Sequence, residues 1–262
     1  MSLTPSDVLE RSQWDLFWAP RDAVVVDRPE LLYISCPRDV PYLNMVARVR
    51  AGPDRLPSLV AEVVQAHAGR RSRWPVLHSR DRASLEAELD RAAYAPGQEH
   101  HVYVVAPRSY RRRPAPGIVV QRIGSIEQLR DSHRVRRAAF GEHESPEEDA
   151  SELARELESC SGPGARVIRF VAYDAETRRP LSAGGINLLP ALGFGFLWGG
   201  GTMPDARGRG AYSAVLAARI NHALRAGLSL VGLFARVDTS APVVARQGFS
   251  RHARMVYWDR PA

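Results

Sequence analysis

The chain has 262 residues, 45% of them apolar and 25% charged, with a formal net charge of +7. That length can bury the core of one large or two ordinary domains, and with no apolar stretch long enough for a membrane span and no basic or apolar leader over Met1 to Glu10, the expectation is a cytoplasmic protein without a membrane partner. Two cysteines, Cys36 and Cys160, lack metal-ligand or CxxC spacing, so no metal site is expected, and the positive charge is all arginine, scattered and unaccompanied by a nucleic-acid-binding motif.

Taken from the N-terminus, Trp14, Phe17 and Trp18 stand at helical spacing and read as core packing. Leu31 to Cys36, Leu43 to Arg50, a helix from Leu56 to Ala68, Trp74 to His78, a helix from Asp81 to Ala93 and His101 to Val105 make β-β-α-β-α-β. From Ala106 to Gly117 three prolines and four arginines carry no hydrophobic period, which reads as a linker, centred on residues 111–116, between a domain over 1–110 and another over 117–262.

The second domain opens with a short strand, Ile118 to Ile123. Ser125-Ile126-Glu127-Gln128 has capping-box form ahead of a helix to about Phe140, and Ser145-Pro146-Glu147-Glu148 repeats the device for a helix ending near Ser159. Val167 to Tyr173 and Leu181 to Leu189 predict an antiparallel hairpin. Leu192 to Met203 is a third strand, whose Gly199, Gly200 and Gly201 imply a bulge or a close ligand approach. Tyr212, Leu216, Ile220 and Leu224 form the stripe of a core helix stopped by Gly227. Leu228 to Ala235, a short helix from Ser240 to Gln247 and a strand from Met255 to Trp258 complete an α+β pattern with a mixed sheet.

Between the glycine-bearing strand and the core helix lies Arg207-Gly208-Arg209-Gly210. A strand that turns through glycines into a helix aims unpaired N–H groups at one point beside the positive end of the helix dipole, which is an anion site. Gly208 and Gly210 admit close approach of the anion, and Arg207 and Arg209 add charge around it.

Met203-Pro204-Asp205-Ala206-Arg207-Gly208-Arg209-Gly210 resembles motif A of the GNAT superfamily of acyl-CoA-dependent N-acyltransferases, Gln/Arg-x-x-Gly-x-Gly/Ala, with Tyr212 in place of the final small residue. Ala245-Arg246-Gln247-Gly248-Phe249 looks like the motif B of the same family. The resemblance covers residues 117–262 and implies a GNAT fold with acetyl-CoA in an opening between two splayed strands. The pyrophosphate would receive the N–H groups of Arg209, Gly210, Ala211, Tyr212 and Ser213, and pantetheine would pair with the backbone of Gly201, Thr202 and Met203. The first half resembles the later part of the same fold, so the chain is read as two GNAT-like domains in tandem. The turn after its second strand, Ala51-Gly52-Pro53-Asp54-Arg55-Leu56, lacks the motif, and no CoA is expected there.

The activity so implied is acetyl transfer to a primary amine of a small molecule or peptide by direct attack on the thioester. The tyrosine that protonates the departing thiolate in many members falls at Val244. Ser240 and Asp238, at the strand-to-helix junction, are the nearest substitutes, and Tyr212 or Tyr257 could supply a hydroxyl from other sides; Ser240 and Asp238 have a structural alternative as helix caps and Tyr257 as a half-buried strand residue. The other reading from the residues is a non-catalytic acyl-CoA-binding or interaction protein that kept the loop.

Overall fold

The computed structural model describes residues 3–78, 82–111, 115–141 and 149–262. In chain order the elements are α1 (Pro5–Ser12), β1 (Val24–Arg28), β2 (Leu31–Ser35), β3 (Met45–Val49), α2 (Leu56–Ala66), β4 (Ser72–Leu77), α3 (Ala83–Arg91), β5 (Ala95–Val105), β6 (Ile118–Arg122), α4 (Ile126–Phe140), α5 (Ala150–Ser161), β7 (Val167–Asp174), β8 (Pro180–Leu189), β9 (Phe194–Thr202), α6 (Ala211–Arg225), β10 (Leu230–Arg236), α7 (Ser240–Arg246) and β11 (Ser250–Arg260). They gather into two compact units, one of residues 1–103, 234–244 and 251–262, the other of residues 104–233 and 245–250. Among the described residues no helix is long and apolar enough to cross a membrane.

In the first unit the strands run in the order β1-β2-β3-β4-β11-β5. β1, β2 and β3 are antiparallel, β3 and β4 parallel, and β4 and β11 antiparallel, which makes the sheet mixed. The placement of β11 differs from a division of the chain at the linker. Six pairs, from Met255 opposite Leu77 to Arg260 opposite Ser72, bind it to β4. Val256 and Trp258 are thereby buried in one cluster with Trp74, Val76, Leu59 and Val63, and the apolar run of the C-terminal strand is satisfied in the first unit.

Residues 4–12 were not read as a helix, although the signal is present. Thr4 Oγ1 accepts the Asp7 N–H at 3.2 Å and the Asp7 carboxylate accepts the Thr4 N–H at 3.1 Å, a capping box with Pro5 at the first helical position. The helix ends at Ser12, so the helical spacing of Trp14, Phe17 and Trp18 is not realised. Trp14 and Trp18 pack on Leu32, Ile34 and Met45 from an irregular segment instead.

In the second unit the order is β10-β9-β8-β7-β6, antiparallel from β6 to β9 and parallel between β9 and β10. The hairpin of β7 and β8 forms where alternation predicts it. Ser125 Oγ caps α4 by accepting the Gln128 N–H at 3.2 Å, while Gln128 Oε1 reaches one residue further back, to the Gly124 N–H at 2.7 Å. Gly141, at φ 69°, closes that helix. α5 begins at Ala150 under an Asp149 cap, whose carboxylate accepts the Ser151 N–H at 2.7 Å. The cap expected at Ser145 and Pro146 lies outside the described residues.

α4 and α6 cover opposite faces of this sheet. A Cβ added at Gly200 would meet Tyr212 and Arg219 of α6, and one added at Gly201 would meet Ala139 and Phe140 of α4.

Candidate functional site

The loop from β9 to α6 has the backbone of an anion cradle. Pro204–Ala206 form a single 3₁₀ turn, Arg207 is extended, and Gly208 and Gly210 both sit in the left-handed region at φ 78° and 86°. Gly210 is the N-cap of α6 and makes no side-chain cap. The Ala214 N–H donates to Gly210 O at 3.0 Å, so the helical ladder starts there and the N–H groups before it are the free donors of the first turn. Nothing stands within 4 Å of where a Cβ of Gly208 would be, which leaves the approach clear.

The two arginines of the loop differ. Arg209 Nη2 donates to Asp174 Oδ2 at 2.6 Å, and that guanidinium, helped by the Thr177 and Glu176 N–H groups, pulls the Asp174 carboxyl down to about 2. Arg207 is exposed and makes no ion pair among the described residues, so it is the mobile cation of the loop. At the start of α6, Ser213 Oγ accepts from Gln247 Nε2 at 2.8 Å, and Tyr110 donates to Gln247 Oε1 at 3.2 Å. Phe249 packs edge-on against Tyr110 at 6.4 Å, and Gly248, at φ 86°, makes the turn between Gln247 and Phe249.

β9 and β10 are aligned over only three pairs, Phe194 with Leu230, Gly195 with Val231 and Phe196 with Gly232. Beyond Phe196, among the described residues, β9 is paired with β8 alone, so its other edge carries peptide groups without a strand partner. Of the three residues expected to meet pantetheine, Met203 donates its N–H to Leu181 O at 2.9 Å and Gly201 O accepts from Ser182 Oγ at 2.6 Å. Those groups are spent on β8. Strand alternation turns the peptide groups of Thr202 the other way, toward the open edge.

The glycine run has reasons inside the protein as well. Gly199 lies at φ 57° within a bulge, since Gly185 faces Trp198 and Ala183 faces Gly201, leaving Gly199 and Gly200 for the single residue Gly184. A Cβ at Gly200 would stand 2.9 Å from the Tyr212 ring, and one at Gly201 2.7 Å from the Ala139 methyl. Tyr212, which breaks the motif, therefore does not block the loop. Its ring is turned under β9 against Gly200, with the phenol beside the Arg219 guanidinium.

No protein-family model and no curated protein matches this chain. Solved structures do. A GCN5-related N-acetyltransferase from Kribbella flavida aligns over 100% of this chain and 97% of its own, with TM-score 0.75 and 17% identity. A tandem GNAT protein from the clavulanic acid biosynthesis pathway aligns over 97% and 87%, with TM-score 0.63 and 15% identity. A functionally unknown conserved protein from Staphylococcus epidermidis aligns over 96% and 98%, with TM-score 0.65 and 13% identity. The fold is that of the GNAT N-acetyltransferases, in tandem.

The residues expected to act on the thioester are not in the unit that carries the GNAT loop. Asp238, Ser240 and Tyr257 all belong to the first unit. Asp238 is exposed and ion-paired with Arg236 at 3.3 Å, and Ser240 is the first residue of α7. Tyr257 lies in β11 opposite Pro75, with Arg73 over its ring at 4.4 Å and His100 edge-on at 5.1 Å, and burial pushes its phenol up. Val244 is fully buried.

Three residues escaped the sequence reading, Asp174, Tyr110 and Arg219, and Gln247 was placed in the motif but not with its partners. Asp174, Tyr110 and Gln247 are ordinary polar residues at element ends whose partners lie 34 or more residues away. Arg219 had a detectable signal. It stands next to Ile220 on the apolar face of an alanine-rich helix, where a surface arginine does not belong.

Proposed function

We propose that this chain is an acetyl-CoA-dependent N-acetyltransferase acting on a primary amine of a small molecule or a peptide by direct attack on the thioester. The observation that carries the reading is the start of α6: free N–H donors behind two left-handed glycines, with the unpaired Arg207 beside them and the open edge of β9 leading to them. That arrangement fits two adjoining parts of an acyl-CoA. The cradle and Arg207 suit a pyrophosphate, and the peptide groups of Thr202 suit an amide-bearing arm added to the strand edge.

Acyl transfer needs a neutral amine, a donor for the developing oxyanion and a proton for the thiolate. Backbone N–H groups of the β9 bulge serve as donors. Among the sequence candidates, Tyr257 is the one whose phenol burial holds in its protonated form.

Val244 favours a second reading, an acyl-CoA-binding protein without transfer chemistry. A thermal-shift titration with acetyl-CoA followed by free-thiol release over a panel of amines and amino acids separates the readings. We expect a raised midpoint and amine-dependent thiol release. No shift at millimolar acetyl-CoA removes both readings; a shift with no thiol release across the panel leaves the second.

A further inference from the structure

We propose that Arg219 is a positioning residue that sets the β9 bulge, so that the Gly199 N–H is presented to the acyl oxygen; the role rests on the acyl-transfer reading above. Arg219 lies in the third turn of α6 and is 1% exposed. Its Nη1 donates to Gly185 O at 3.2 Å and to Trp198 O at 3.3 Å, and its Nε donates to Val215 O at 3.4 Å. Gly185 and Trp198 are the last aligned pair of β8 and β9 before the bulge, so one guanidinium grips both strands where the register breaks.

The peptide bond converts that grip into an orientation. Trp198 C=O and Gly199 N–H belong to one planar trans unit and point in opposite directions. Drawing the carbonyl toward α6 therefore turns the N–H away from α6. Gly199 supplies the left-handed φ that such a peptide needs, and neither it nor Gly200 has a register partner on β8.

The cost of the arrangement argues that it serves a purpose beyond packing. No carboxylate pairs with Arg219 among the described residues, and beyond the carbonyls it grips only the Tyr212 phenol faces its guanidinium. A buried cation without a counter-charge is less favourable than an apolar side chain of similar volume. The surroundings are nevertheless shaped to admit it. A Cβ at Gly184 would stand 2.9 Å from Cζ and Nη1, and one at Gly200 would stand 3.3 Å from Nη2, while the Tyr212 phenol closes the guanidinium from another side. The two carbonyls are held by the N–H donors of one Nη1 group, which a methionine cannot supply.

The test is Arg219→Met, with acetyl-CoA affinity, kcat and the amide exchange of Gly199 and Gly200 measured together. Because Arg207 to Gly210 make no contact with Arg219, the acetyl-CoA Kd should stay within about 3-fold, while kcat falls about 100-fold, the scale of losing one oxyanion donor. Exchange at Gly199 and Gly200 in the ligand-free protein should change about 10-fold or more, with β6 and β7 unaffected. Unchanged kcat, or parallel loss of affinity and kcat, overturns the proposal. If the wild-type chain releases no thiol with any amine, the function proposed above falls, and unchanged exchange at Gly199 then overturns the role of Arg219 independently. Should Arg219→Met fail to fold, Gly200→Ala displaces the Tyr212 ring and Nη2 without removing charge, and the same changes in kcat and exchange are required of it.

Discussion

The two strand-to-helix transitions of this chain, β3 to α2 in the first unit and β9 to α6 in the second, share an architecture and differ in every feature that would hold a ligand. In both, a parallel pair of strands aligns briefly and then loses its register: three pairs for β9 and β10, and a single pair, Met45 with Arg73, for β3 and β4. The second unit follows its strand with two left-handed glycines and a helix start rich in free N–H groups. The first follows its strand with Gly52 at φ −71°, and then removes donors with Pro53 in the 3₁₀ turn and Pro57 in the first turn of α2. Where β3 and β4 diverge, only about 40 Å³ remains, bordered by Glu10, Arg82, Trp74 and Leu77. That is room for water, not for a pantetheine arm. The lesson is that the splayed pair is a scaffold property, whereas binding resides in the loop and in what fills the gap.

The most severe way to probe this contrast is to empty the filled gap. Trp74 is 2% exposed, and Trp74→Ala should cost about 4 kcal/mol of stability by denaturant unfolding. A cost below about 1 kcal/mol would mean that the first unit is not sealed by core packing. Acid should also weaken that unit. His67 is buried with Nε2 against Ile34 O at 2.9 Å, and desolvation pulls it down to about 4 from 6.5. The unfolded chain takes up the proton first as pH falls, so stability is complete above about 6.5 and declines between about 6.5 and 4. The loss is about 3 kcal/mol at the lower limit, and urea titrations of wild type and His67→Gln at pH 7.5 and 4.5 should reveal it.

The loops can be set against each other directly. Gly210→Val forces a β-branched residue into a φ of 86° and should weaken acetyl-CoA binding about 100-fold by calorimetry, whereas Gly52→Val should leave it unchanged. Equal effects would erase the distinction between the two transitions. Smallest is the difference between the two arginines. Arg207→Ala should weaken binding about 10-fold, and Arg209→Ala about 2- to 3-fold because Asp174 already occupies it, with both effects shrinking in high salt. A larger effect at Arg209 would show that its ion pair opens on binding.

What was legible in the sequence was what is local. The loop at Arg207, the cap at Ser125, the stripe of α6 and the turn at Gly248 each depend on residues within about a turn of one another. The partner of β11 could not be read, because Met255 to Trp258 is a short continuous apolar run that suits any sheet, and only the three-dimensional fold sets it beside Trp74. The ion pair of Arg209 was illegible for the same reason, since Asp174 is 35 residues away. Tyr212 looked like an obstacle in the motif because the gap that receives its ring is made by Gly200 on another element. The glycines themselves were noticed, but their number reflects three separate demands, for a bulge at Gly199 and for space at Gly200 and Gly201.

The pairing of β11 with β4 also governs how the protein can be made. The first unit is translated first, yet the strand that covers Trp74 and Val76 is specified by residues 251–260. A nascent chain that has emerged only as far as residue 110 exposes that apolar face, so the earliest-synthesised unit must wait for nearly the whole of this sequence before its core closes.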